Sequence, residues 1–150
     1  RMVQDINRST TTAADPATVY ALLRDGATWP TWSPLGSFEL ERPAPDGEPE
    51  GVGAVRIFRT GRVTSRERIV ELVPERRLSY ILLSGLPLRG YRADVDIIPQ
   101  DDGTTKIRWH STFAPKVPGT GWLYRLTLGR FIGRVVDGLA AHAARQPVAA

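Results

Sequence analysis

Apolar residues recur near the end of the chain, over residues 120–145, at intervals of four, three and four. Leu128, Ile132, Val135 and Leu139 then share one face of an α-helix. The pattern predicts one long amphipathic helix. Arg125, Arg130, Arg134, Asp137 and Arg145 make its polar side, a charge density that excludes a membrane span. A second row, Trp122, Leu126, Gly129, Gly133, Val136, Ala140 and Ala143, runs beside the first and turns small in its middle. Small side chains there let a neighbour approach or leave volume open.

Ahead of this helix the period is mostly two. Ile6 to Thr12 is short and β-branched, an edge-type strand. Asp15-Pro16 opens a helix with the stripe Val19, Leu22, Leu23, which ends near Asp25-Gly26. Trp29-Pro30-Thr31-Trp32-Ser33-Pro34 reads as a short turn of helix packed against it. Phe38 to Arg42 alternates as a strand, and Pro43 to Gly53 is expected to be an exposed, mobile connection. Ala54 to Arg59 and Arg62 to Leu72 flank the hairpin candidate Thr60-Gly61, and Pro74-Glu75 turns into Arg77 to Leu83. Tyr91 to Ile98 and Thr104 to Phe113 meet around Asp101-Asp102-Gly103. Tyr91, Ala93, Val95 and Ile97 share one face with Ile107, Trp109, Ser111 and Phe113 across the hairpin, and the opposite face is polar. Such a sheet needs a cover. The fold class is therefore α+β: an antiparallel meander of six or seven strands, two short helices after the first strand, and the terminal helix across the apolar face.

Composition narrows the function more than the fold. At 150 residues one domain, 1–150, is expected. The net charge is +4, but its arginines are scattered singly and mixed with acids, without a basic tail or stripe. Nucleic acid is therefore not the expected partner. Cysteine is absent, and Arg1 to Thr12 has no apolar run of signal-peptide length, so the expected location is cytoplasmic. His110 and His142 lie far apart without a carboxylate cluster, so no metal and no cofactor is expected. A Gly-x-Ser-x-Gly nucleophile turn is missing, and Gly51-Val52-Gly53 lacks the third glycine and helix of a nucleotide site.

Several motifs, in order and spacing, resemble the polyketide cyclase/dehydrase-like branch of the START and Bet v 1-like (SRPBCC) superfamily. They are Asp15-Pro16 with Val19-Tyr20 and Leu22-Leu23; Trp29-Pro30 with Trp32-Ser33-Pro34; Gly51-Val52-Gly53; Glu67 to Pro74 with Arg77-Leu78-Ser79-Tyr80; and Gly103-Thr104-Thr105 with Trp109. The resemblance spans nearly the whole chain and implies a helix-grip fold. A curved sheet would grip the terminal helix and enclose a cavity for an apolar small molecule, lipid-like or aromatic. The same family resemblance covers carriers and cyclases alike and does not choose between them.

Within that frame the candidate ligand-binding residues are Phe58, Tyr80, Tyr91, Trp109, Phe113, Leu86, Leu88, Gly129, Gly133 and Val136. Leu86 and Leu88 sit where a loop would form the rim of an entrance; packing onto a helix end explains them equally. If Val63, Ser65, Glu67 and Ile69 face inward, Glu67 enters the cavity wall, where desolvation raises a carboxyl pKa toward values useful for acid-base work. A bulge could instead turn it outward, or Arg66 or Arg68 could pair with it. Tyr80 or Tyr91 could polarise a ligand carbonyl. Three functions fit: a carrier or sensor for a hydrophobic molecule, a cyclase or dehydratase using Glu67 and a cavity tyrosine, or a protein-interaction module using the loops at the open end.

Overall fold

The computed structural model describes residues 3–147. β1 (Gln4–Thr12) is followed by α1 (Pro16–Arg24), a 3-10 turn (Gly26–Thr28), α2 (Trp29–Trp32), β2 (Ser37–Arg42) and β3 (Val55–Thr60). Then come β4 (Val63–Val73), β5 (Arg77–Ser84), β6 (Leu88–Pro99), β7 (Thr105–Pro115) and α3 (Gly121–Ala144). The strands make one antiparallel sheet in the order β1-β7-β6-β5-β4-β3-β2. Strands β2 to β7 are a plain meander. β1 and β2 are the two edges, so α1 and α2 carry the chain from one edge of the sheet to the other.

Local chemistry explains the short helices. The Asp15 carboxylate accepts from the Thr18 amide at 2.8 Å, and Pro16 occupies the first helical position. The Trp29 indole donates to the Leu23 carbonyl at 3.1 Å, which fastens α2 under the end of α1. The sheet alternates as the pattern requires: Tyr91, Ala93, Val95, Ile97, Ile107, Trp109, Ser111 and Phe113 are all buried. Its outer face carries a ladder of half-exposed charges, with Arg77 to Asp96 at 2.7 Å and Arg92 to Glu71 at 3.1 Å, and the His110 ring lies 2.7 Å from Asp5 beside them. Pairs this wet add little stability each. The hairpin between β3 and β4 turns at Gly61-Arg62, because Thr60 pairs with Val63; this is one residue later than Thr60-Gly61.

Ile132, Val135, Val136 and Leu139 of α3 are buried, and the helix packs chiefly on β1 and then on β7. Its small row corrects the expectation of open volume. A methyl group on Gly129 would lie 3.6 Å from the Arg8 guanidinium and 4.0 Å from Ile6, and one on Gly133 3.9 Å from Arg8. The row thus faces β1, where the Arg8 side chain lies across it. Trp122 and Leu126, which begin the row, are in solvent. Farther along, Gly138 meets α2 so closely that any β-carbon would overlap the Trp32 carbonyl oxygen.

These two glycines should respond oppositely to the same substitution. Gly133→Ala meets only ordinary van der Waals distances and removes a helix-interior glycine, so it should stabilise by about 0.5–1 kcal/mol. Gly138→Ala must push α2 away and should cost about 1–3 kcal/mol. Thermal melts of both variants decide it, and equal shifts would refute the close α2 contact.

Candidate ligand cavity

Because α3 leans toward β1, the other half of the sheet is left partly uncovered. A cavity of about 280 Å³ opens there, between α3 and strands β3 to β7. Leu128, Phe131, Ile132 and Val135 form the helix side. Phe58, Val63, Leu82 and Trp109 line the sheet side, with Trp29, Leu35 and Leu86 contributed from α2 and two loops. Polar groups enter the wall from the sheet alone: Thr60, Ser65, Glu67, Tyr80 and Tyr91.

The structure therefore brings Phe58, Glu67, Tyr80, Tyr91, Trp109 and Leu86 together on one wall and leaves the other expected ligand residues off it. Phe113 stacks behind Tyr91, with ring centroids 6.1 Å apart. Leu88 is buried within β6, paired with Pro115. Gly129 and Gly133 face Arg8, and Val136 is buried in the core away from the cavity. The helix residues that do line it, Leu128 to Val135, carry the ordinary core periodicity, so nothing in the sequence separates them from plain packing.

Glu67 points inward, and its partner is neither Arg66 nor Arg68. It lies opposite Arg56 across the β3–β4 hairpin, with 3.5 Å between the Arg56 Nη2 and Glu67 Oε1. Arg56 is wholly buried. Its Nη1 donates to the Leu23 carbonyl at 3.0 Å and to Glu50 Oε1 at 3.1 Å, and its guanidinium lies over the rings of Trp29 at 4.8 Å and Phe58 at 5.3 Å. The Leu23 carbonyl belongs to the last turn of α1, where the helix dipole favours a cation. Glu50 also accepts from the Gly26 amide at 2.8 Å, and its own carbonyl accepts from Arg24 at 3.2 Å. The connection after β2 is thus fastened to the end of α1 through Glu50, with Ala44 and Gly51 buried, while most of its other residues are exposed as expected. The signal for Arg56 was a lone cation at an inward strand position. The turn at Thr60-Gly61 hid it, because that register sets Arg56 opposite Ser65.

Burial raises the Glu67 carboxyl to about 7, against the opposing pull of Arg56. The Tyr80 phenol is pushed well above its ordinary value, and that of Tyr91 to about 12, in both cases chiefly by desolvation. Both tyrosines stay neutral hydrogen-bonding groups. Tyr91 shares a hydrogen bond with Ser111 at 2.9 Å, and the Trp109 indole donates to Tyr80 at 3.3 Å. The Thr60 hydroxyl oxygen is buried in the wall without a partner among the described residues. No group of three histidines or carboxylates that could hold a metal occurs among the described residues.

Residues 3–145 match the family model described as polyketide cyclase / dehydrase and lipid transport. The chain belongs to this family. Among curated proteins a sequence search finds no match. Solved structures agree on the fold. A START superfamily protein from Mycobacterium smegmatis superposes with a TM-score of 0.78 at 14% identity, covering 93% of this chain and 96% of its own. A Thermobifida fusca protein superposes at 0.76 with 25% identity, covering 97% of each chain. Norcoclaurine synthase from Thalictrum flavum, solved with dopamine and hydroxybenzaldehyde, gives 0.77 at 12% identity, over 99% of this chain and 90% of the enzyme. At such identities the likeness is one of fold. The family's helix-grip architecture and the position of the cavity under its C-terminal helix are consistent with hydrophobic ligand binding as the general property.

The buried charges give two measurable consequences. Arg56→Leu strands Glu67 and Glu50 without their cation and should cost about 3–5 kcal/mol in chemical denaturation. For Glu67, the folded state keeps a proton that the unfolded state, with an ordinary carboxyl at 4.5, has already released. Its contribution therefore falls as pH rises from about 4.5 to about 7 and is flat above, by at most about 3 kcal/mol. Glu67→Gln should abolish that component, seen as the difference between wild-type and variant stability at the two ends of the window. A constant difference would show that Glu67 titrates normally.

Proposed function

We propose that the chain encloses an apolar small molecule bearing one hydrogen-bonding group, and acts as its carrier or sensor. The observation that carries this reading is the division of the cavity wall. One side, from α3, is wholly apolar, whereas the sheet side carries the polar residues Thr60, Ser65, Glu67, Tyr80 and Tyr91. A guest hydrogen-bonded on that side would present its body to Leu128, Phe131 and Val135. The volume of about 280 Å³ falls just below the range of small-molecule sites, about 300 to 1,000 Å³. A single-chain or ring-sized molecule fits this better than a two-chain lipid. Family membership supports the same class of ligand.

A second reading rests on Glu67 specifically. A carboxyl that holds and releases a proton near neutrality, on the same wall as the Tyr80 hydroxyl, has the composition of an acid-base pair. On this reading the protein is a cyclase- or dehydratase-type enzyme: the tyrosine polarises a carbonyl, Glu67 moves the proton, and the apolar walls hold a flexible chain in its reactive conformer.

Native mass spectrometry and titration with the uncharged dye N-phenyl-naphthylamine test the first reading. Leu128→Trp, at a half-buried wall position, should weaken dye binding about tenfold or more, which is about 1.4 kcal/mol, with little change in melting temperature. If neither a co-purifying molecule nor dye binding is found, the carrier reading fails. The enzymatic reading requires that Glu67→Gln bind an identified substrate normally yet lose turnover, and unchanged turnover would exclude it.

A further inference from the structure

One end of the molecule collects exposed apolar side chains, of which only Val63 also lines the cavity. Strand registers bring together there the tip of the β3–β4 hairpin, the β5–β6 loop, the β7–α3 connection and the first turns of α3. Trp122 is 59% exposed, and Leu123, Leu126, Val117 and Val63 are each 40% exposed or more. The unpaired charges at this end are basic. Arg62, Arg89, Lys116 and Arg125 are exposed, and none joins an ion pair among the described residues. Residues 59–66, 84–93 and 111–136 contain no Asp or Glu, and the acids that reach this end from the two edge strands already have partners: Asp5 lies on His110, Glu39 on Arg59 and Glu41 on Arg66.

We propose that this end docks on the surface of an anionic lipid bilayer. Trp122, Leu123 and Leu126 would enter the headgroup region, with Arg62, Arg89, Lys116 and Arg125 over the lipid phosphates. An indole beside leucines suits the boundary between water and acyl chains, and cations beside it gain from anionic lipid. The association is peripheral, since no described helix is long and apolar enough to cross a membrane. A second copy of the chain fits the patch poorly, because a two-fold contact would set these unpaired cations against one another. Leu86 and Val63 of the cavity wall lie at the same end, so a molecule leaving the cavity there would meet lipid before water. The proposal goes beyond the cavity reading and stands without it.

The chain carries its own reporter. Trp29, Trp32 and Trp109 are buried and only Trp122 is exposed, so a change in tryptophan emission on vesicles reads Trp122. Vesicles of one part phosphatidylglycerol to two parts phosphatidylcholine should shift the emission to the blue and sediment the protein. Pure phosphatidylcholine should do neither, and high salt should reverse both effects. Lys116→Ala and Arg125→Ala should each weaken vesicle binding roughly fivefold. Trp122→Ala with Leu126→Ser should abolish it while leaving dye binding in the cavity intact. Three results overturn the proposal: no shift on anionic vesicles, an equal shift on neutral ones, or a Trp122-dependent dimer in their absence. Loss of dye binding with vesicle binding retained would instead count only against the cavity reading.

Discussion

A seven-stranded sheet with one apolar face has a single long helix to cover it, and that helix cannot reach everywhere at once. Where α3 touches β1 its side chains shrink to glycine, and the strand contributes Ile6 and the Arg8 guanidinium to the gap. Close approach on that side is what leaves space on the other, where the helix presents Leu128, Phe131, Ile132 and Val135 to strands it does not meet. Close packing normally eliminates such volume. Here the aromatic wall of Trp29, Phe58, Trp109 and Tyr80 holds it open, each ring braced by the next at centroid distances of 4.7 to 6.3 Å.

Arg56 secures the part of the sheet that α3 leaves bare. One guanidinium joins the end of α1, the connection before β3, the ring of Trp29 and the carboxyl of Glu67. Only a planar cation with donors on several edges can serve carbonyl, carboxylates and aromatic faces together, which is why lysine would be a poor substitute. The same arrangement governs the chemistry of the wall. Arg56 pulls Glu67 toward the charged form, burial pushes it further toward the neutral one, and the balance falls near physiological pH.

The division of labour between ends and walls gives the molecule a direction. Polar groups sit on the sheet side of the cavity, apolar ones on the helix side, and the exposed tryptophan and leucines gather with unpaired cations at one end of the barrel-like grip. On this fold family the architecture is common property, and any function has to be argued from the individual side chains on the wall and at that end.

Periodicity alone determined the elements, because amphipathic spacing and turn residues are local facts. The α3 stripe, the Asp15-Pro16 cap, the alternating faces of β6 and β7, and the cover of helix over sheet could all be read directly, and the order of motifs named the family. The wall of the cavity was legible only in part. Phe58, Glu67, Tyr80, Tyr91, Trp109 and Leu86 could be found from strand parity and loop composition. Leu128, Ile132 and Val135 could not, because a side chain facing a void and one facing a neighbour share the same helical spacing. Arg56 depended on a one-residue difference in a turn, which moves its cross-strand partner by two positions without changing its face. Gly129 and Gly133 looked like room for a ligand and proved to be room for Arg8, since which neighbour enters a groove is a long-range matter that the glycines themselves cannot encode.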